Sequence, residues 1–85
     1  MIPHTIRYTR LVIEAIYKIP RGQAAEVSEA IKALGKDPRP PYAFEIERKN
    51  SYAMKVAGCF VTYEIVETEG LIIVLLVEKE DQPET

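Results

Sequence analysis

The stretch from Tyr52 to Val77 constrains the fold of this 85-residue chain more than any other. Apolar and polar side chains alternate in its first two segments, a pattern that indicates strands with one covered face. A run of seven aliphatic residues, Leu71–Val77, follows, and such a run is typical of a strand that is covered on both faces. Three successive strands, the last of them central, predict a sheet that the earlier part of the chain must cover.

Helical spacing appears before this stretch. Apolar residues at i, i+3, i+4 and i+7 predict a first amphipathic helix, with its stripe at Val12, Ala15, Ile16 and Ile19. Thr9 is its predicted N-cap, and Pro20 ends it because proline lacks an amide donor. A second helix is predicted from about Gln23 to Leu34, with Gly35 as a left-handed stop.

Two further strands complete the predicted order. Residues 4–8 alternate, and residues 44–47 alternate again before a hairpin turn at residues 48–51. The order β-α-α-β-β-β-β predicts an α+β fold of two layers, in which a helical hairpin packs on one face of a mostly antiparallel sheet. We expect a single domain over residues 1–80 and a frayed acidic tail over residues 81–85.

Charge, cysteine content and the length of the apolar runs limit the functions that this chain can have. The net charge is −2, but residues 1–60 carry ten Lys/Arg against six Asp/Glu, whereas residues 61–85 carry one against seven. The near-neutral total argues against strong nucleic-acid binding. Cys59 is the only cysteine, and the longest apolar run is too short to span a bilayer. We therefore expect a soluble cytoplasmic protein without membrane attachment, bound metal or cofactor.

Several local signatures occur in a familiar order. They are Ile16–Pro20 and Ala30–Leu34 at the predicted helix ends, Asp37-Pro38, Tyr52–Val56 and Phe60–Ile65. Together they resemble the RelE/ParE superfamily of toxins from bacterial toxin–antitoxin systems, over about residues 4 to 79. The resemblance implies the fold given above and an antitoxin partner. For the RelE type it also implies cleavage of messenger RNA on the ribosome, with basic residues on the open face of the sheet that stabilise the phosphate in transfer.

The chain departs from the family pattern where that chemistry is done. The family pattern that Tyr52–Val56 resembles is Tyr-Arg-x-Arg. In this chain Ala53 stands at the first arginine position and Lys55 at the second. Phe60 stands at the arginine of the next strand, and the last strand is followed by acidic residues. Lysine keeps a positive charge but lacks the bidentate fork of arginine. We therefore expect the mRNA-cleaving activity implied by the resemblance to be weak or lost, and no residue is assigned a catalytic role.

The alternation also predicts what each face of the sheet carries. Tyr52, Met54 and Val56 should face the helices together with Val61, Tyr63 and Ile65. The opposite face should then be apolar and bind a partner, either an antitoxin-like protein or a second copy of the chain. Its predicted members are Ala53, Ala57, Phe60, Thr62, Ile72, Val74 and Leu76.

Three cations are candidate RNA-binding residues, namely Arg48, Lys49 and Lys55. The alternative is that they are solvated charges of a hairpin turn and a strand rim. Contacts with the ribosome or mRNA would then be weakened.

The first functional hypothesis is accordingly a toxin-like component of a type II toxin–antitoxin system. The alternative is a non-catalytic interaction domain descended from such toxins, which could form a homodimer. A gyrase inhibitor of the ParE type is a third hypothesis, because that branch needs no nuclease site.

Overall fold

A computed structural model describes residues 3–80 and contains two helices and five strands. In chain order they are β1 (Thr5–Tyr8), α1 (Arg10–Lys18), α2 (Arg21–Ala33), β2 (Phe44–Glu45), β3 (Ser51–Val56), β4 (Cys59–Val66) and β5 (Leu71–Lys79). A single 3-10 turn, Glu67–Glu69, joins β4 to β5. The predicted α+β class and the order β-α-α-β-β-β-β are confirmed. The predicted acidic tail lies outside the described residues.

The five strands form one mixed sheet in the order β1-β5-β4-β3-β2. β1 pairs with β5 in parallel, and the other three pairings are antiparallel. The aliphatic strand β5 therefore has a neighbour on each side, and β1 and β2 form the edges. No helix in the described part of the chain is long and apolar enough to cross a membrane.

The helices begin where their capping residues allow. The Thr9 hydroxyl accepts a hydrogen bond from the amide of Val12 at 3.4 Å, as expected for an N-cap. Pro20 stands immediately before α2, so the second helix starts at Arg21, two residues earlier than predicted. Val12 is the only fully buried residue of α1.

The prediction that Gly35 ends α2 in a left-handed conformation is wrong, because its φ is not positive. The chain leaves the helix through further tight turns, in which the amides of Gly35 and Lys36 bond to the carbonyls of Lys32 and Ala33. Glycine is favoured at this position for a different reason. A Cβ at position 35 would lie 3.1 Å from the His4 carbonyl oxygen, and that closeness lets the His4 amide bond to the Gly35 carbonyl at 2.7 Å.

The hydrophobic core lies between the helices and one face of the sheet. The helices supply Val12, Val27 and Ile31, and Leu34 follows α2 directly. All six residues predicted to face the helices belong to this core or pack against it. The sheet side consists of Met54, Cys59, Val61, Tyr63, Ile65, Ile72, Val74 and Val77.

A β-bulge in β5 corrects one prediction about this face. Thr62 pairs with Leu76, but Tyr63 pairs with Val74, so Leu75 has no partner across the ladder. Simple alternation placed Ile72, Val74 and Leu76 on the side away from the helices. Ile72 and Val74 are instead fully buried against the helices, and the extra residue returns only Leu76 to the opposite side.

Tyr63 attaches the connector between α2 and β2 to the core. Its ring is fully buried and stacks on Tyr52 with a centroid distance of 5.9 Å. Its hydroxyl donates a 2.7 Å hydrogen bond to the Pro38 carbonyl oxygen. Burial raises the pKa of Tyr63 to about 12, since a phenolate would have to lose its hydration there.

Replacement of Tyr63 by phenylalanine should lower the free energy of unfolding by about 1 kcal/mol, because the partly buried Pro38 carbonyl loses its donor. Tyr17→Phe is the matched control, since Tyr17 is 85% exposed and makes no side-chain hydrogen bond within the described residues. Urea unfolding at neutral pH measures both. Equal midpoints for the two variants would show that the Tyr63 hydroxyl does not anchor the connector.

The same side chain predicts a dependence of stability on alkaline pH. The folded-state pKa of Tyr63 is raised above the ordinary value of 10.0, so its contribution is complete below pH 10 and is lost as the pH rises towards about 12. Between these values the unfolding free energy of the native chain should fall more steeply than that of Tyr63→Phe. Parallel curves from unfolding titrations at several pH values would contradict the assignment.

Candidate functional site

The side of the sheet away from the helices, called here the open face, has an apolar row across its middle. Paired residues on neighbouring strands share a face, and Phe44, Ala53, Thr62 and Leu76 stand opposite one another in successive pairings. Phe44 is 51% exposed and Leu76 is 40% exposed, whereas Ala53 is buried beneath its neighbours. The middle of the open face therefore offers apolar surface to another molecule.

Charged residues flank this row on both sides. On one side Lys55, Phe60 and Glu78 pair across three strands. On the other side Glu64 pairs with Ile73, which in turn pairs with Arg7. The open face is thus an apolar band between two mixed-charge rows, without a continuous basic surface.

Four of the seven residues predicted for this face lie on it, namely Ala53, Phe60, Thr62 and Leu76. Ile72 and Val74 lie in the core, as described above. Ala57 belongs to the two-residue turn between β3 and β4, where both Ala57 and Gly58 have positive φ. Its side chain packs against the core, and its carbonyl accepts a 2.6 Å hydrogen bond from the Gln23 side chain. Ala57 is therefore not part of the open face.

Sequence reasoning missed Phe44 and Ile73, which the register places on the open face. The signal for Phe44 was present, since it alternates with Glu45 in a segment expected to be a strand. The signal for Ile73 was hidden by the bulge, because strict alternation from Leu76 assigns Ile73 to the core.

Lys55 is held by a carboxylate. Its Nζ lies 2.7 Å from Oε1 of Glu80 and 5.9 Å from the centroid of the Phe60 ring. The Glu80 backbone is fixed by a 2.8 Å hydrogen bond from its amide to the Gly58 carbonyl oxygen. Lys55 stands where the resembled Tyr-Arg-x-Arg pattern has its second arginine. Its ammonium group is thus paired with the carboxylate of the residue that follows β5.

The other two candidate RNA-binding cations occupy the turn between β2 and β3. Arg48 lies 3.8 Å from a carboxylate oxygen of Glu64, on the border of the open face. Lys49 is exposed and makes no ion pair with any residue between 3 and 80. The structure therefore leaves one of the three candidates free of a carboxylate partner within that range. Such exposed pairs add little stability, but they reduce the positive potential available to a phosphate.

Arg39, which sequence reasoning did not single out, binds residues away from the open face. It donates to Glu67 at 2.7 Å and to the Tyr52 hydroxyl at 3.0 Å, and it lies over the Tyr52 ring. These hydrogen bonds raise the pKa of Arg39, and the bond from Arg39 lowers the pKa of Glu67. Tyr52 faces the helix layer, so Arg39 cannot join Lys55 on the open face.

The open face therefore supports docking better than phosphoryl chemistry. A transferring phosphate needs positioned donors, and Lys55 is surrounded by Ala53, Phe60 and Glu80. Within residues 3–80, no group of three or more His, Cys, Asp or Glu side chains is placed to hold a metal ion.

Comparison with solved structures identifies the fold. A chain of the RelBE2 toxin–antitoxin complex from Mycobacterium tuberculosis superposes with a TM-score of 0.81 at 20% identity, over 93% of this chain and 100% of that chain. The isolated E. coli RelE toxin gives 0.83 at 13% identity, over 95% of this chain and 88% of that one. A chain of the archaeal RelE–RelB complex from Pyrococcus horikoshii OT3 gives 0.83 at 15% identity, over 95% and 99%.

These similarities confirm the RelE-type fold that the sequence resemblance implies. No protein-family model and no curated protein sequence matches the chain. At identities of 12–20% the likeness establishes the fold and leaves the activity to be argued from the residues of this chain.

Replacement of Glu80 by glutamine should release the Lys55 ammonium and raise the affinity for single-stranded RNA at low salt severalfold, because one carboxylate no longer competes with phosphate. Glu69→Gln is the control, since it changes the net charge equally in the turn before β5. Fluorescence anisotropy with a labelled RNA oligonucleotide measures both. If the two variants gain equally, Glu80 acts only through net charge.

Proposed function

We propose that this chain is the toxin-like component of a type II toxin–antitoxin pair, that it acts in the cytoplasm and that its mRNA-cleaving activity is weak or lost. The proposal has two parts, a protein partner and a disabled nuclease site. The observation that carries both is the open face, where an apolar row replaces a basic surface and Lys55 is bound to Glu80.

The partner is supported by fold and surface together. Structures with this fold include chains of the RelBE toxin–antitoxin complexes of two bacteria and of the RelE–RelB complex of one archaeon. In the present chain, exposed Phe44 and Leu76 provide apolar area of the kind that protein partners cover. An antitoxin-like protein is therefore the partner proposed for the open face.

The weak activity is supported by the residues around Lys55. Removal of one transition-state donor typically costs about 3–4 kcal/mol, or a hundred- to thousandfold in rate. Here two guanidinium positions of the resembled pattern are Ala53 and Phe60, and the remaining cation is paired with Glu80 at 2.7 Å. Little rate acceleration remains for an RNA phosphate bound at this face.

A second candidate is a non-catalytic interaction domain descended from such toxins, possessing no toxicity and forming a homodimer. The apolar row itself favours it, since the row would serve a second copy as well as an antitoxin. Sedimentation of the purified chain distinguishes the two candidates. A dimer that Leu76→Glu dissociates would favour the interaction domain.

Induction in a bacterial host tests the loss of activity. We expect growth close to that of the empty vector and no new mRNA ends by primer extension, because the donors for phosphoryl transfer are absent. The variants Lys55→Ala and Lys49→Ala are induced in parallel, the second being an exposed cation of the turn between β2 and β3. Growth arrest that Lys55→Ala abolishes and Lys49→Ala retains would contradict the proposal.

Co-purification tests the partner. The product of a small reading frame adjacent to this gene should be retained by the native chain and lost with Leu76→Glu, which places a charge in the apolar row. Tyr42→Glu is the control, because Tyr42 is also exposed but lies in the connector before β2. Retention by the Leu76→Glu variant would exclude the open face as the binding surface.

A further inference from the structure

The turn between β3 and β4 holds an alanine in a conformation that alanine rarely adopts. Ala57 has a φ of 52°, in the left-handed region, and Gly58 follows with a φ of 75°. The Cβ of an L residue crowds a carbonyl oxygen in this region, so two-residue hairpins of this kind usually have glycine, asparagine or aspartate here. A backbone in a disfavoured region persists only where its surroundings hold it.

Two hydrogen bonds from outside the turn hold it in place. The side-chain amide of Gln23, in the first turn of α2, donates to the Ala57 carbonyl oxygen at 2.6 Å. The backbone amide of Glu80 donates to the Gly58 carbonyl oxygen at 2.8 Å. A Cβ on Gly58 would lie 3.4 Å from the Gln23 side-chain nitrogen, so the glutamine packs closely against the turn. The helix layer and the end of β5 thus meet at these two peptide groups.

The bond to Gly58 also places the Glu80 side chain. It extends the pairing of β4 with β5 by one step beyond Cys59 and Lys79, where β5 ends. From this position the Glu80 carboxylate reaches the Lys55 ammonium group at 2.7 Å. The two side chains are 39% and 54% exposed, and an ion pair of that exposure holds its partners only weakly. The pairing therefore depends on where the Glu80 backbone is held.

We infer that Gln23 is a positioning residue for the open face, although it lies in the helix layer. Its hydrogen bond keeps Ala57 in the left-handed conformation, and the turn then presents the Gly58 carbonyl to the Glu80 amide. Without that bond Ala57 returns to the favoured right-handed region, and the Gly58 carbonyl turns away from Glu80. A displacement of α2 that breaks the bond would therefore free the Lys55 charge on the other side of the sheet.

This role of Gln23 rests on the proposed function, in which the pairing of Lys55 with Glu80 withdraws a charge from the open face. It deepens that function by assigning control of the pair to a residue outside the sheet. Gln23 is uncharged, so its replacement by another neutral residue leaves the net charge unchanged. Any gain of RNA binding by such a variant would have to come from the position of Glu80.

Proton–nitrogen NMR spectra of the lysine ammonium groups test the role directly, because an ammonium group held by a carboxylate exchanges its protons with water more slowly. The native chain should show a Lys55 signal that is absent from Lys55→Arg and broadened in Glu80→Gln. Gln23→Met, which keeps the size and removes the donor, should broaden it to the same extent, and so should Gln23→Glu. Ala25→Gly is the control, since it weakens α2 at an exposed position and leaves the Gln23 side chain in place.

A second substitution separates the turn from a general loss of stability. Glycine adopts the left-handed conformation readily, so Ala57→Gly should restore the Lys55 signal in the Gln23→Met chain. Single-stranded RNA binding at low salt, measured by fluorescence anisotropy, should follow the same order. Gln23→Met should gain severalfold over the native chain, the double variant should not, and Gln23→Met should add nothing in the Glu80→Gln chain. Thermal unfolding checks that each variant is folded.

Three outcomes would overturn the inference. They are a native Lys55 signal as broad as that of Glu80→Gln, a Lys55 signal in Gln23→Met as sharp as the native one, and a broadening that Ala57→Gly does not reverse. An RNA affinity that Glu80→Gln leaves unchanged would count against the proposed function instead. The ammonium signals would still decide the role of Gln23 in that case.

Discussion

The pairing of β4 with β5 determines which side chains meet the helices and which remain available to a partner. In a strand of seven successive aliphatic residues, either alternate set of side chains could face the core. The register sends Ile72 and Val74 to the helix side, opposite Ile65 and Tyr63, and the unpaired Leu75 then returns Leu76 to the open face opposite Thr62. Because a shift of one residue exchanges the two faces of a strand, this single bulge defines both the core and the open face.

The helix layer depends on the same pairing. Both helices are short, and only Val12, Val27 and Ile31 of their residues are fully buried. The connector after α2 is held by the hydrogen bond from Tyr63 to Pro38 and by Arg39, which lies between Tyr52 and Glu67. Apolar side chains remain exposed on the open face, at Phe44 and Leu76, and on α1, at Leu11, Ile13 and Tyr17. Partner binding would supply burial that a chain of this size lacks.

The sequence was sufficient for the order of elements, the α+β class and the residues that β3 and β4 send to the core, because hydrophobic periodicity reports burial directly. It could not locate a bulge within a uniformly aliphatic run, since no residue of Leu71–Val77 differs in polarity from its neighbours. It also gave Gly35 the wrong role, because a close approach to His4 depends on residues distant in sequence. The pairing of Lys55 with Glu80 likewise needs the hairpin between β3 and β4 and the whole of β5 to be in place.

The sequence alone showed that the open face departs from the resembled pattern, but it showed only part of what that departure does to the charge of the face. Ala53 and Phe60 could be recognised as apolar replacements of arginine from the strand motif alone. The motif could not show whether the Lys55 ammonium group is unpaired, since that depends on a carboxylate 25 positions later. The composition shows only that the chain is nearly neutral. The structure shows that two of the three candidate cations, Arg48 and Lys55, lie 3.8 and 2.7 Å from carboxylate oxygens.

The central claim is that the open face is built for a protein and not for a phosphate backbone. The salt dependence of single-stranded RNA binding by the native chain tests it most directly, because each neutralised phosphate contributes about −0.7 to the slope of log K against log salt concentration. With only Lys49 without a carboxylate partner among the three candidates in residues 3–80, the account predicts weak binding and a slope no steeper than about −1. Tight binding with a slope of about −2 or steeper, reporting three or more phosphate contacts, would contradict it.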